Sequence, residues 1–518
     1  MISAPTTIRT LLIYAVILPL AVFLGYLLAS DNPLNYGTMG GIGIVLFVLA
    51  LPLFLRWHHA FLIVAWNFGA VLFFLPGRPD LWWAAAWLSL TISVFQYILN
   101  RRLKPIFVPS LTKPLLFLGI VVLLTMKLTS GFGLAAFGSE VNGGKRYVLM
   151  ISAIAGYFAL IAQPIPPRRA VLFVMLFFLA SLTNALGEAA PLMPSSAYFL
   201  YLLFPVSGTV YNMLTEGPAH GFQMLSRLSG LTPACLGIAL AMLARFGIQE
   251  LFSFRHFLRS FLFLVVVLVG MLGGFRSTLV LLALTVAIMF WLEGLMRSRM
   301  LPMALLGIVL GGTLLVAFAG HLPLSMQRTL SFLPIDVDPL ARGNAEASTE
   351  WRLHMWREVL PEVPKYLIIG KGLGFSAVDQ AAAGLEERAL GGTAGTEVVG
   401  DYHNGPLSVI IPFGIFGMIG FVWFLVVALR VLYRNYKYGH PAYQKLNTFL
   451  FAYFAAKTFF FFVIFGGFYS ELMTFTGLVG LSVSLNGGVA RRMIVVQPPP
   501  RQQQPIRFRP PIRKPVPA

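Results

Sequence analysis

The sequence predicts an all-α, multi-pass membrane protein with one large extracytoplasmic loop, and three observations predict it. The 518 residues are 58% hydrophobic and only 11% charged, against about half and about a quarter in soluble domains. Apolar runs of roughly 18 to 22 residues recur along nearly the whole chain, the length a helix needs to cross the hydrocarbon core. The alternation of a membrane β-strand is nowhere visible.

Taken in order, about fourteen spans begin near Leu11, Met39, His59, Leu81, Pro114, Tyr147, Ala170, Leu231, Phe257, Ser277, Leu301, Gly405, Thr448 and Leu472. The first run, Leu11 to Ala29, is longer than the apolar part of a secretory signal and ends without a small-x-small cleavage site, so it reads as a retained helix. Ala197 to Val210 is apolar but short and carries Pro205 and Gly208, which favours an interfacial or re-entrant element over a span. Cys235 is the single cysteine, so no internal disulfide holds the loops.

Charge placement orients the helices. The net charge of +19 is not a nucleic-acid footprint, because the basic residues sit in short alternate loops and in the tail. Arg56, Arg101/Arg102/Lys104/Lys113, Arg168/Arg169, Arg245/Arg255/Arg259, Arg297/Arg299 and Arg434/Lys437/Lys445 fall on one side, with Arg9, Arg491 and Arg492. That side is cytoplasmic by the positive-inside rule, and the even count of spans places both termini there. Residues 1–496 thus form the membrane domain, 320–404 its large outer loop, and 497–518 a Pro/Arg-rich disordered tail able to touch anionic lipid.

Ionisable groups at the membrane edge are the outliers that carry chemistry, since an Arg or Lys at a helix centre costs about 2.5–3.5 kcal/mol. Arg276 ends Met271-Leu272-Gly273-Gly274-Phe275 and opens Ser277-Thr278, at the outer end of a tight helical hairpin where topology anchors are seldom Arg. In Thr349 to Arg357, a helix would place Arg352 and Trp356 on one face; an amphipathic helix lying on the bilayer gives the same pattern. Asp401-Tyr402-His403-Asn404 precedes the span at Gly405, and a neutral imidazole there suits a general base, although a helix cap is the plainer use of that position. Lys457, within a Phe-rich span, needs a partner or a water-filled cavity; Glu471 is too far along the helix to be assumed as that partner. Asp336-Val337-Asp338 reads as a turn before Pro339, and Gly370-Lys371-Gly372-Leu373-Gly374 lacks Walker spacing and reads as flexible backbone.

In this order the blocks resemble the O-antigen ligase and O-antigen polymerase superfamily of bacterial envelope enzymes. Phe275-Arg276-Ser277-Thr278 resembles the family's Ser/Arg motif, and Arg352-x-x-x-Trp356 with Gly370-x-Gly372-x-Gly374-Phe375 its loop motif. His403-Asn404-x-x-Leu407 with Gly414-x-x-Gly417 resembles its most recognisable block, and the likeness covers roughly 257–424. The resemblance implies a C-type glycosyltransferase architecture in the bacterial cytoplasmic (inner) membrane. It implies transfer of a glycan from undecaprenyl pyrophosphate to an acceptor hydroxyl (lipid A-core, a growing glycan or a protein), with inversion and without metal or nucleotide. His403 would be the general base; Arg276 and Arg352 would stabilise the leaving pyrophosphate; Trp356, Asn404 and, in second place, Lys457 would bind substrate. A lipid-linked oligosaccharide flippase or exporter is the competing class, and Lys457 is the residue that most favours it. A non-enzymatic scaffold recruited through the tail is a further alternative.

Overall fold

The computed structural model describes residues 4–29, 35–133, 138–189, 192–207, 227–390 and 394–492. Among these the chain is helical, apart from a two-residue antiparallel strand pair, Val141–Asn142 against Phe375–Ser376. Among the described residues, ten helices are long and apolar enough to cross a membrane, with shorter apolar helices at Ile17–Leu28, Phe257–Met271 and Arg276–Leu292. The protein is a multi-pass membrane protein. Against the expected count of about fourteen, ten helices among the described residues meet that length, and two of the predicted spans merge into one helix.

Helix α1 (Ala4–Leu28) packs along α2 (Tyr36–Ala65), and α2 unites the two spans predicted to begin near Met39 and His59. Arg56-Trp57-His58-His59 interrupts the hydropathy there but contains neither Gly nor Pro, so the helix continues through it. Its polar groups are met by other segments: His58 Nδ1 meets Ser89 Oγ at 2.9 Å, His59 Nε2 meets the Leu160 carbonyl at 2.8 Å, and Arg56 and Arg169 both lie over the Trp57 ring. Arg56 is therefore a helix residue and not a loop charge.

The central bundle follows with α3 (Leu81–Leu99), α4 (Pro109–Leu128), α5 (Gly144–Ile161), α6 (Ala170–Leu179) and α7 (Leu231–Leu251). Between α6 and α7, the described part of the 197–210 stretch is a 3-10 turn and the single helical turn Leu200–Leu203, too short to span. Positions 208–210 and the tail 497–518 lie outside the described residues. Next come α8 (Phe257–Met271), α9 (Arg276–Leu292) and α10 (Met300–Phe318). The Ala319–His403 segment carries α11 (Leu324–Leu330), α12 (Pro339–Val359), α13 (Ala377–Leu390) and α14 (Ala394–Val399); α15 (Gly405–Tyr438), α16 (Gln444–Val463) and α17 (Phe468–Asn486) close the chain.

Close packing in the bundle centre uses glycine against aromatic rings, as membrane helices do when apolar burial alone gives no drive to associate. The Trp66 ring is fully buried between Gly156 of α5 and Gly477 of α17, where an added Cβ would approach it to 2.6 Å and 2.2 Å. Phe421 sits among Phe461, Phe468 and Phe475 with centroids 4.9–5.6 Å away.

Helix α15 is broken at Gly414 (φ 63°), two residues after Pro412. The freed backbone groups pair with the Gly-rich loop: Lys371 N donates to Ile411 O at 2.7 Å, Gly372 N to Pro412 O at 3.0 Å, and Ile415 N to Leu367 O at 2.7 Å. Gly370 and Gly372 both have positive φ, and a Cβ on Gly370 would stand 2.2 Å from the Pro412 carbonyl. The loop expected to be flexible is thus a close-packed joint that locks the 319–403 segment onto the bundle.

Candidate functional site

Arg276 is the first residue of α9, reached through Gly274 (φ 71°). A cation at a helix N-terminus opposes the helix dipole, whereas an anion there is favoured by both the guanidinium and the free N–H groups. Its guanidinium donates to the Ala345 carbonyl at 3.0 Å and to Thr349 Oγ1 at 3.1 Å, both on α12. Helix α12 starts cleanly because Asp338 caps it, Oδ1 accepting from Leu340 N at 2.8 Å ahead of Pro339. The Asp336-Val337-Asp338 run is accordingly a helix start, in agreement with its reading as a turn.

Arg352, further along α12, faces the same cavity of about 360 Å³ as Arg276. Arg227 and Arg328 line it too, with Ser277, Ser348 and Thr349, and no Asp or Glu does among the described residues. Arg328 is 4% exposed; its guanidinium donates to the Gly274 carbonyl and, through Nε at 2.7 Å, to Asn344 Oδ1, which also accepts from Arg227 at 2.8 Å. Asn344 so holds two cations side by side. Burial, then the neighbouring guanidinium charges, push the Arg328 pKa down to about 10. Burial likewise lowers Arg352 and Arg227, with Arg276 adding to both. All still carry charge at neutral pH, so the cavity concentrates positive charge with no counter-ion among the described lining residues.

The cavity brings together Arg276 and Arg352, which the sequence singled out, with Arg227 and Arg328, which it did not. Both missed residues were legible by the signal that singled out Arg276, a basic residue in a loop assigned to the outer side. Arg328 sits in the polar stretch Met326-Gln327-Arg328-Thr329 between apolar segments.

His403 lies at the edge of this arrangement. Its ring packs between Trp351 of α12 (centroids 5.5 Å) and Phe465 (5.3 Å, stacked), and the Arg352 guanidinium lies 5.7 Å from that same Phe465 ring. Its backbone is left-handed (φ 48°), a strained state for a residue with a side chain. Burial lowers its pKa, the Asp401 carboxylate opposes that shift, and Arg352 reinforces it. The net lowering favours the neutral imidazole that the base reading needs.

The remaining expected residues have firm structural duties. Trp356 Nε1 donates to the Tyr402 carbonyl at 2.8 Å, and Trp351 and Trp356 pack on Tyr402, Leu407 and Ile411, so α12 is docked onto the start of α15. Asn404 is the N-cap of α15, its Oδ1 accepting from Leu407 N at 3.1 Å. Lys457 is not in the arginine cavity. It pairs with Glu471 at 2.8 Å, contrary to the expectation from sequence distance, because α16 and α17 fold back as a hairpin and bring the two residues face to face. The pair lines a separate cavity of about 250 Å³ with Asn67, Ser181, Ser470 and Thr474.

Residues 261–422 match the family model described as O-antigen ligase, a span that holds Arg276, Arg328, Arg352 and His403 and leaves out Arg227 and Lys457. No match is found among curated proteins. The Ser/Arg, loop and His blocks all lie inside that matched span, so this part of the multi-pass membrane protein is similar to the O-antigen ligase family.

Proposed function

We propose that the protein is a glycosyltransferase that takes a glycan from undecaprenyl pyrophosphate at the outer face of the cytoplasmic membrane and joins it to an acceptor hydroxyl. The observation that carries this reading is the cavity in which Arg227, Arg276, Arg328 and Arg352 converge, with no carboxylate lining it among the described residues. A diphosphate supplies the missing counter-charge, and it gathers further negative charge as the anomeric C–O bond breaks. Preorganised guanidinium groups in a poorly hydrated site stabilise that developing charge more than the ground state, which is the condition for catalysis.

His403 takes the proton of the acceptor hydroxyl as its oxygen attacks the anomeric carbon. The electron pair of the breaking bond leaves on the diphosphate oxygen, and attack from the opposite face inverts the centre. The activated donor supplies the driving force, so the reaction calls for no metal or nucleotide. The imidazolium formed returns its proton to water before the next turnover.

Purified protein reconstituted with a defined undecaprenyl-linked glycan and candidate acceptors tests this. Glycosylated acceptor and free undecaprenyl pyrophosphate are expected, and Arg276→Ala, Arg352→Ala and His403→Ala should each cut transfer by about a hundredfold or more while remaining inserted. Movement of labelled lipid-linked glycan between leaflets with the glycan never detached would decide for a flippase.

A further inference from the structure

The His403 ring leaves one polar atom unaccounted for. Nδ1 is buried without a hydrogen-bond partner, a condition that costs about 1–3 kcal/mol. The acceptor facing it is Asp401 Oδ1 at 3.7 Å, too long for a hydrogen bond and about 0.7–0.9 Å from one. The chain is bent to make this approach: Gly400 (φ 75°) and His403 (φ 48°) both have left-handed backbone, and together they fold the carboxylate back towards a ring two residues on. On the other side the imidazole is held by Trp351 and Phe465, so the freedom left for closing the gap lies with Asp401. The turn itself is braced by Arg146, which donates to the Val399 carbonyl and lies 4.6 Å from the Tyr469 ring centroid.

We propose that Asp401 is a positioning residue for His403, its carboxylate accepting from Nδ1–H so that the Nε2 lone pair is left to take the acceptor proton. This rests on the transferase reading above. Asp401 fixes the tautomer and then stabilises the imidazolium that forms when the hydroxyl proton moves to Nε2. Two charged groups act on the ring in opposite directions: Asp401 from its own turn and Arg352 from α12; Tyr469, on α17, adds a neutral phenol near Asp401. Contacts of this kind, which orient a reacting group without touching substrate, typically tighten only in the loaded enzyme.

The test uses Asp401→Asn and Asp401→Glu in the reconstituted full-length protein. Asp401→Asn should lower kcat about tenfold or more, leave donor KM within about twofold, and move the acid limb of the pH–rate profile to lower pH, because the anion that raises the imidazole pKa is gone. Asp401→Glu should restore most of the rate. Independently of turnover, diethyl pyrocarbonate modification of the His403 peptide, followed by mass spectrometry against pH, should show its midpoint shifted down in Asp401→Asn. Wild-type kcat in Asp401→Asn, or a rate loss with an unmoved pH limb, an unmoved modification midpoint and no rescue by Glu, overturns the proposal. A wild-type protein that transfers no glycan would refute the transferase reading, while the modification midpoint still decides whether Asp401 governs His403.

Discussion

Two of the cavities in the molecule handle buried charge in opposite ways. Around Lys457 the charge is closed on itself: Glu471 sits 2.8 Å away, both side chains are largely buried, and the surroundings are neutral. Around Arg276 it is left open, with four guanidinium groups, hydroxyl and amide partners, and no carboxylate among the described lining residues. A closed pair gives up Coulomb attraction to no one and has a purely internal reason to exist. An open cluster of like charges is a standing cost that an anionic ligand removes, so exposure of charge to a vacant partner, more than burial of charge, separates a binding site from a structural feature.

That contrast is broken most directly at the closed pair. Lys457→Met leaves Glu471 buried without its partner and should destabilise the folded protein by about 3–5 kcal/mol, read as a lowered thermal unfolding transition in detergent. Lys457→Met combined with Glu471→Leu should recover most of the loss; equal instability of the two variants would show that the pair is not what matters there. At the open cluster the sign is reversed. Arg328→Ala should leave the fold largely intact, or relieve repulsion, yet lower kcat/KM about a hundredfold, the scale for losing a charge stabiliser. Unchanged turnover would reduce Arg328 to a brace for the Gly274 turn.

Smaller effects sharpen the picture at its edge. Because Arg352 depresses the His403 pKa, Arg352→Gln should move the His403 modification midpoint to higher pH, opposite in direction to the shift expected for Asp401→Asn. Equal directions would mean that the two charges do not act on the ring separately. Asn404→Ala removes the cap of α15 and should cost about 1 kcal/mol in thermal stability with transfer near wild type. A tenfold loss of transfer at unchanged stability would instead give Asn404 the substrate contact expected from the sequence.

Much of this molecule is written locally. The beginnings of α9 near Arg276 and α15 at Gly405 and the apolar length of most spans follow from neighbouring residues and were legible without coordinates. Local signals failed where two things look alike along the chain. The polar run Arg56 to His59 resembles a loop until its partners Ser89, Leu160 and Arg169 are known, and those come from three other segments. Gly370 to Gly374 resembles a flexible loop until Pro412 and Gly414 break α15 and offer it unpaired backbone groups.

By itself the sequence determined the class of solvent, the helical periodicity and the small set of charged residues too expensive to leave in a membrane without purpose, because each depends on composition and on neighbours within a few turns. Only the tertiary structure decided which of those charges meet. Lys457 found a counter-ion across a hairpin and Arg276 found three other cations across loops and α12, and such pairings depend on long-range packing that no local pattern encodes.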